Sequence, residues 1–404
     1  MAKNKLISFL YQLLLFHRLT RTEATIQSPN RIGHIPVPTF LNRVRGGNNL
    51  SSSLVENQLS SENITSENMT DIKIVFSDID GTLVHYDQEI GPDDDIIRLP
   101  TSSTGLKALI SAKTLGKCQE LRRKGVFLVL VSGGRTTTIF DRLPFLPLAD
   151  AYCSEVGGRI FYPVKEPTRE GDLVITPHPY TNAREEDLEP FSLKEDLEWR
   201  ARMEEFVGKE GYQGVEPWDY KSGTNITAFE RKGALWDLAQ SFLNDGCVID
   251  AKGYASSFRV SRSKNKSMSN ETFQAMLDMK CPDGLDKSVN LGSIDFYPKM
   301  SGKRNCCFYL AQRFLQSTDE EVLSKHAVCM CDDDNDLEMA HACKHAYLPS
   351  IASESMAQAA EKSKDKFTLT EQGTVAKTAA TEAAIDILLG IVTYGKWQNT
   401  TQNE

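Results

Sequence analysis

The run Ile74-Val75-Phe76-Ser77 leads straight into Asp78-Ile79-Asp80-Gly81-Thr82-Leu83, and this junction constrains the fold more than any other stretch of the chain. A β-branched and aromatic run of this length suits a buried parallel strand. It stops at two carboxylates one residue apart. Alternate residues of an extended chain point the same way, so Asp78 and Asp80 share one side of the strand's C-terminal edge. That edge is where open α/β sheets place their ligands. Two like charges so close repel unless a cation joins them or one carboxyl holds a proton. The pair therefore suits a metal site, or a nucleophile beside a general acid. Asp-x-Asp-Gly is equally an ordinary turn signal, because aspartate caps its own backbone and glycine supplies positive φ. The choice between these rests on what lies downstream.

Downstream, strand and helix signals alternate. A helical pattern with Leu115, Cys118 and Leu121 on one face ends at Arg122-Arg123-Lys124-Gly125, with basic residues in the last turn and a glycine stop. Val126 to Val131 is a continuous apolar strand that ends at Ser132-Gly133-Gly134-Arg135. A right-handed crossover between these strands puts Ser132 beside Asp78. Ser132 offers a hydroxyl, and Gly133 and Gly134 let backbone N–H groups approach an oxyanion. A short strand pair is expected around Gly157-Gly158.

From Pro163 to Leu291 the character changes to that of an α+β insert with its own apolar material. Its helical faces include Leu193, Leu197 and Met203, or Trp236, Ala239 and Phe242, and its strand-like runs are Ile226 to Phe229, Cys247 to Ile249 and Phe258 to Val260. The β/α pattern resumes at Gly292, with a strand at Ile294 to Tyr297 and a helix from Lys303 through Leu315. A lysine in the first turn opposes the helix macrodipole. It is either a solvated surface lysine or a cation serving an anion bound at that helix end. Ala327 to Cys331 forms another strand and ends in Asp332-Asp333-Asp334-Asn335-Asp336. That is more acid than capping needs, and a hard cation with oxygen ligands, octahedral magnesium foremost, accounts for it. A strand at Phe367 to Leu369 and an Ala-rich helix from Thr374 to Ile391 complete an α/β layer.

The length of 404 residues, 40% hydrophobic and 25% charged, allows two globular domains. A net charge of -9 with no Arg/Lys-rich stripe argues against nucleic acid as a partner. Met1 to Gly46 carries seven Lys or Arg against Glu23 alone, 7 - 1 = +6, which leaves -9 - 6 = -15 for the remainder. Residues 1–46 thus form a separate basic segment. Its apolar run Leu6 to Phe16 is too short to span a bilayer, so no integral membrane span is expected. The run suits part of a transit or signal sequence, or else a surface helix. Residues 47–70, rich in Asn and Ser, are expected to be a flexible linker. Nine unpatterned cysteines are expected to be reduced, intracellular thiols used mostly as small core residues. The location is then cytoplasmic or organellar, depending on whether the N-terminal segment targets.

With the aspartate pair, the serine turn, the lysine and the second acidic cluster together, residues 71–391 resemble the haloacid dehalogenase (HAD) superfamily of phosphohydrolases. Asp78-Ile79-Asp80-Gly81-Thr82, Ser132, Lys303 and Asp332-Asp333-Asp334-Asn335-Asp336 stand in that family's order. The resemblance implies a Rossmann-like parallel-sheet core domain (71–162 and 292–395) with an inserted α+β cap domain (163–291). The cap is of the larger type found in Cof-type sugar phosphatases, sucrose-phosphate phosphatases and phosphomannomutases. Cys331 stands where the family usually has glycine, and Glu155-Val156-Gly157-Gly158 lacks the asparagine of many relatives.

Carried over to this sequence, Asp78 is the expected nucleophile, forming an aspartyl-phosphate, and Asp80 the general acid and base. Mg2+ is expected on the Asp78 carboxylate, the Asp80 carbonyl and Asp332, with Asn335 or Asp336 completing the set. Ser132, Gly133 and Lys303 would hold phosphoryl oxygens, and Arg259, Arg262 and Lys264 are cationic candidates for reaching the substrate. The implied activity is a magnesium-dependent phosphomonoesterase acting on a small sugar or sugar-alcohol phosphate, such as mannitol 1-phosphate or sucrose phosphate. A sugar phosphomutase and a non-catalytic sugar-phosphate-binding module are the alternatives. A metal-dependent glycosyltransferase would leave Lys303 and the second acidic cluster without a role.

Overall fold

The junction at Asp78 follows a strand whose every residue is buried, β1 (Ile74–Ser77). The computed structural model describes residues 71–86, 95–101, 105, 107–222, 226–290, 292–370 and 377–392, all within one unit, Glu62–Glu404. The basic segment and the linker expected at 1–46 and 47–70 lie outside the described residues. After β1 come β2 (His85–Tyr86), β3 (Ile96–Arg98), β4 (Ala108–Ser111), helix α1 (Ala112–Arg123), β5 (Phe127–Val131), α2 (Thr136–Arg142), β6 (Ala151–Ser154), β7 (Arg159–Val164), β8 (Val174–Ile175) and β9 (Phe191–Glu195). Next are α3 (Leu197–Val207), α4 (Ala234–Asn244), β10 (Ile249–Asp250), β11 (Phe258–Ser261), α5 (Asn270–Asp278), β12 (Leu285–Asn290) and β13 (Ser293–Pro298). The chain continues through α6 (Lys303–Leu315), α7 (Val322–His326), β14 (Ala327–Met330), α8 (Leu337–Ala342), β15 (His345–Leu348), α9 (Glu354–Lys362), β16 (Phe367–Leu369) and α10 (Lys377–Ile391).

Among the described residues the main sheet has nine strands in the order β16-β15-β14-β1-β5-β6-β7-β9-β8. From β16 to β6 every pairing is parallel, and β7, β9 and β8 extend the sheet antiparallel. The α/β architecture with a mostly parallel sheet is as expected from the alternating signals.

Period-two alternation divides the apolar residues between two cores. Val75, Leu128, Leu130 and Val328 pack on one face with α1 and α10. Ile74, Phe76, Val129, Val131 and Cys329 pack on the other, against Cys306, Cys307 and Leu310 of α6 and Met339 of α8. Seven of the nine cysteines are buried, in keeping with their use as small core side chains.

Two smaller sheets flank the main one, β2-β4-β3 and β10-β11-β13-β12, both antiparallel. The four-stranded sheet has its own core with α4, built on Trp236, Phe242, Phe258 and Phe296.

Three sequence expectations are corrected here. Ile294 to Tyr297 lies in β13, which pairs with β11 and β12 rather than with the main sheet, so the parallel pattern does not resume at Gly292. A short apolar run carries no signal for which sheet it joins. Conversely, β8 and β9, expected in the insert, belong to the main sheet. Residues 226–229 form no strand and run into a turn at 228–230, because the Thr227 N–H and hydroxyl both bond Glu230, and Phe229 is exposed.

Candidate active site

Three adjacent parallel strands, β14, β1 and β5, end side by side, and each delivers polar residues to the same edge. Asp78 follows β1, its N–H bonded to the Met330 carbonyl at 3.0 Å. Ser132 follows β5, its N–H on the Cys153 carbonyl at 2.9 Å. Asp332 comes two residues after β14. Chain positions more than two hundred apart thus meet because parallel strands share their C-terminal edge.

The turn after β1 holds Asp332 close. Gly81 sits at φ +88°, and a Cβ there would lie 2.1 Å from Asp332 Oδ2, so only glycine permits both the turn and the approach. Thr82 Oγ1 donates to Asp332 Oδ1 at 2.8 Å. Asp78, Asp332 and Asp336 are all buried, each offering an oxygen within 4.8 Å of the others.

Lys303 neutralises part of this charge. As the first residue of α6 it is only 2% exposed, and its Nζ donates to Asp78 Oδ1 at 2.5 Å and to Asp336 Oδ1 at 2.6 Å. The sharper of the two sequence readings, a cation at a buried anionic site, describes it. Burial opposes its charge, but the two carboxylates outweigh that and hold its pKa above the usual lysine range. Asp78 is pushed up to about 8 by burial, against the opposing pull of Lys303 and with Asp336 adding to the rise. Asp332 is likewise raised, by burial and then by Asp78 and Asp336.

The second acidic cluster forms a short 3-10 turn, Asp334–Asp336, capped by Asp333. Asp336 Oδ2 accepts the N–H groups of Asp332 and Asp333 at 3.3 Å each. Asp336 therefore organises the loop and partners Lys303, while Asn335 faces the cleft.

The residues fit a hard cation. Asp78 and Asp332 each keep one carboxylate oxygen, Oδ2 in both cases, with no hydrogen-bond donor among the described residues, while Oδ1 is already bonded. Buried anionic oxygens left over in this way are what an oxygen-preferring divalent ion takes as ligands.

Ser132 Oγ accepts the Gly134 N–H at 2.9 Å, which fixes the hydroxyl and leaves its proton to donate. Together with Asp78, Asp80 and Gly133 it lines a cleft of about 60 Å³. The opposite wall comes from the four-stranded sheet, as Arg259 and Asn290. Both are held by buried Asp295, which takes Arg259 Nε at 2.6 Å and Nη2 at 2.7 Å, and Asn290 Nδ2 at 3.0 Å. A Cβ on Gly133 would meet Asn290 Nδ2 at 2.2 Å, so glycine here allows the two walls to touch.

Nine of the residues singled out in the sequence are brought to this region: Asp78, Asp80, Ser132, Gly133, Arg259, Lys303, Asp332, Asn335 and Asp336. Arg262 and Lys264 are not. Arg262 bonds Asn270, and Lys264 bonds Asp250 at 2.8 Å. A larger depression of about 570 Å³ beside His178 and Tyr180 carries Asp95 and Arg98 but no converging carboxylates.

Sequence reasoning passed over Arg142, Tyr86, Asn290, Asp295 and Glu155. Arg142 Nη1 donates to Asp80 Oδ1 at 2.7 Å and Tyr86 Oη to the same oxygen at 3.1 Å. Glu155, fully buried at φ +56°, accepts the Ala255 N–H and the N–H and hydroxyl of Ser256. It ties the β6–β7 turn to the loop before β11. No spacing rule marks any of these five. Only the departure at Glu155 from the resembled family's asparagine drew notice to its turn.

No protein-family model matches the chain, and no curated protein matches it. Solved structures do. The sucrose-phosphatase of Synechocystis sp. PCC6803, in complex with sucrose and phosphate, is 13% identical and covers 79% of this chain and 98% of its own, with a TM-score of 0.42. The phosphatase BT1666 of Bacteroides thetaiotaomicron is 13% identical, covering 84% and 100%, with a TM-score of 0.43. A trehalose-6-phosphate phosphatase from Aspergillus fumigatus is 12% identical, covering 80% and 96%, with a TM-score of 0.37. These three similar structures are phosphatases, and BT1666 is one of the HAD superfamily.

Proposed function

We propose that this chain is a magnesium-dependent phosphoric monoester hydrolase acting on a small sugar or sugar-alcohol phosphate. The observation that carries the reading is the meeting of Asp78, Ser132, Lys303 and Asp332 at one sheet edge, with Asp80 beside them. Phosphoryl transfer needs positioning and charge neutralisation above all, and this set supplies both.

Asp78 attacks phosphorus and forms an aspartyl-phosphate while the ester P–O bond breaks. Asp80 gives its proton to the leaving oxygen, then takes one from the water that attacks the intermediate. Ser132 donates its hydroxyl to a phosphoryl oxygen, and Lys303 holds charge balance across Asp78 and Asp336. When bound, Mg2+ on Asp78, the Asp80 carbonyl and Asp332 would neutralise phosphoryl charge. Asp336 is better read as the partner of Lys303, and Asn335 as the neutral group nearer the substrate.

We read β10 to β13 with α4 and α5 as the cap, its boundaries moved to include β13 and to exclude β8 and β9. The cleft of about 60 Å³ has Asp78, Asp80 and Ser132 on one side and Arg259 and Asn290 on the other. Arg259 and Asn290, held by Asp295, would meet the leaving group or the phosphate. Such a site suits a small polar alcohol. No helix among the described residues is long and apolar enough to cross a membrane.

A panel of sugar, polyol and aryl phosphates assayed in magnesium, with wild type beside Asp78→Asn, tests the reading. Release of inorganic phosphate by wild type and its loss in the variant are expected. Equal activity in both, or isomerised sugar phosphate in place of inorganic phosphate, would overturn it.

A further inference from the structure

The two oxygens of Asp80 are in unlike surroundings. Oδ1 accepts two donors, the Arg142 guanidinium at 2.7 Å and the Tyr86 hydroxyl at 3.1 Å. Oδ2 has no hydrogen-bond donor among the described residues, while Asp80 itself lines the cleft. Arg142 is the last residue of α2 and its side chain is 4% exposed. Its Nε is buried without a partner, and the guanidinium bonds both Asp80 and the Tyr86 hydroxyl. A charged group this buried is costly to place unless it is paired. Tyr86 comes from β2, in the small three-stranded sheet, and is joined to the catalytic turn through the bridge between Asp80 and Val84. Two elements that share no other part of the site therefore converge on one oxygen of one carboxylate.

We infer that Arg142 and Tyr86 are positioning residues that saturate Asp80 Oδ1, so that Oδ2 alone faces the cleft and carries every proton transfer. This rests on the reading of Asp80 as the acid and base. In the first step the Asp78 carboxylate forms a bond to phosphorus, the phosphorus–leaving oxygen bond breaks, and the proton on Asp80 Oδ2 moves to that oxygen. In the second step water attacks phosphorus and gives its proton to Asp80 Oδ2, and the phosphorus–Asp78 bond breaks. Both transfers need the same oxygen aimed at the same spot. A carboxylate free to rotate would offer it only part of the time, and positioned acid–base groups contribute about a hundredfold or more to rate.

The test exploits leaving-group chemistry, which a merely structural role would not sense. A p-nitrophenolate ion leaves without a proton, whereas the alkoxide of glycerol phosphate needs one. In the full-length protein with magnesium, rapid-quench measurements on Arg142→Gln should show the first step on glycerol phosphate falling by about a hundredfold. The nitrophenolate burst from p-nitrophenyl phosphate should change by less than about threefold, with slow turnover after it. Arg142→Lys should recover part of the loss. Tyr86→Phe, which removes a half-buried hydroxyl and little packing, should show the same contrast at about a tenth of the size and decides the matter should Arg142→Gln fail to fold. An equal fall on both substrates, or no fall on either, overturns the inference. Wild type and Asp78→Asn run on the same two esters separate this from failure of the phosphatase reading, which would leave those two proteins indistinguishable.

Discussion

Replacing Lys303 by methionine removes the buried cation at the site and keeps an unbranched side chain of similar length. Its Nζ lies 2.5 Å from Asp78 and 2.6 Å from Asp336, and the lysine side chain is 1% exposed. Three buried carboxylates within 4.8 Å of one another then lose that counter-charge. Breaking a buried pair by removing one partner costs about 3 to 5 kcal/mol, because the charge left behind stays desolvated. For a chain of this size each kcal/mol shifts Tm by roughly 1.2 °C, so metal-free Lys303→Met should melt about 4 to 6 °C lower. Part of that penalty is relieved by proton uptake, since Lys303 is what lowers the Asp78 pKa against burial. Adding Asp336→Asn to Lys303→Met removes a repelling carboxylate, and the pair should couple by about 1 kcal/mol or more. Hydrolysis by Lys303→Met should fall by about a hundredfold to a thousandfold, the usual effect of losing a group aimed at developing charge. Urea unfolding in EDTA and steady-state hydrolysis in magnesium give the two readouts. Unchanged unfolding together with unchanged kcat would refute the charge-balance reasoning.

Other consequences follow from the same geometry. Gly81→Ala should abolish most activity, because its Cβ would sit 2.1 Å from Asp332 Oδ2 at φ +88°. Magnesium-dependent stabilisation, read by thermal shift, should vanish with it. Asp295→Asn loosens both Arg259 and Asn290 and should raise KM more than it lowers kcat, with p-nitrophenyl phosphate the least affected ester. His345 is held below the usual imidazole pKa by burial and then by Lys366, with Nε2 2.8 Å from Thr368 Oγ1. Its neutral form is the one the fold favours, so its contribution is present above about pH 6.5 and is lost as pH falls through the lowered folded value. Stability measured from pH 7 to pH 5 should therefore decline less steeply in His345→Gln than in wild type.

What could be read beforehand was whatever chain order alone determines. Strand β1 and the carboxylates after it, the turn at Ser132, the start of α6 at Lys303 and the acid run after β14 are all local signals. A parallel crossover then forces the turns after β1 and β5 together, because a strand, helix, parallel strand unit has one favoured hand. Pairing that depends on three dimensions could not be read this way. Arg142 closes a helix, where a basic residue is ordinary dipole chemistry, so nothing in the local pattern points to Asp80. Ile294 to Tyr297 has the composition of a main-sheet strand yet pairs with β11 and β12, since aromatic packing of Phe296 on Phe258 at 5.0 Å sets its partner. Glu155 and Val156 take positive φ without being glycine. That conformation is held by the hydrogen bonds Glu155 receives from a loop one hundred residues away.

The account stands on Asp78 as the group that receives the phosphoryl. Acid quench within the first turnover of a phosphate ester, followed by peptide mass spectrometry, reads this directly. The account requires a base-labile phosphoryl group on the peptide bearing Asp78, absent in Asp78→Asn and accumulating when Asp80→Asn slows its hydrolysis. A phosphoryl group on any other residue, or rapid turnover with none trapped at Asp78 in either wild type or Asp80→Asn, would contradict it.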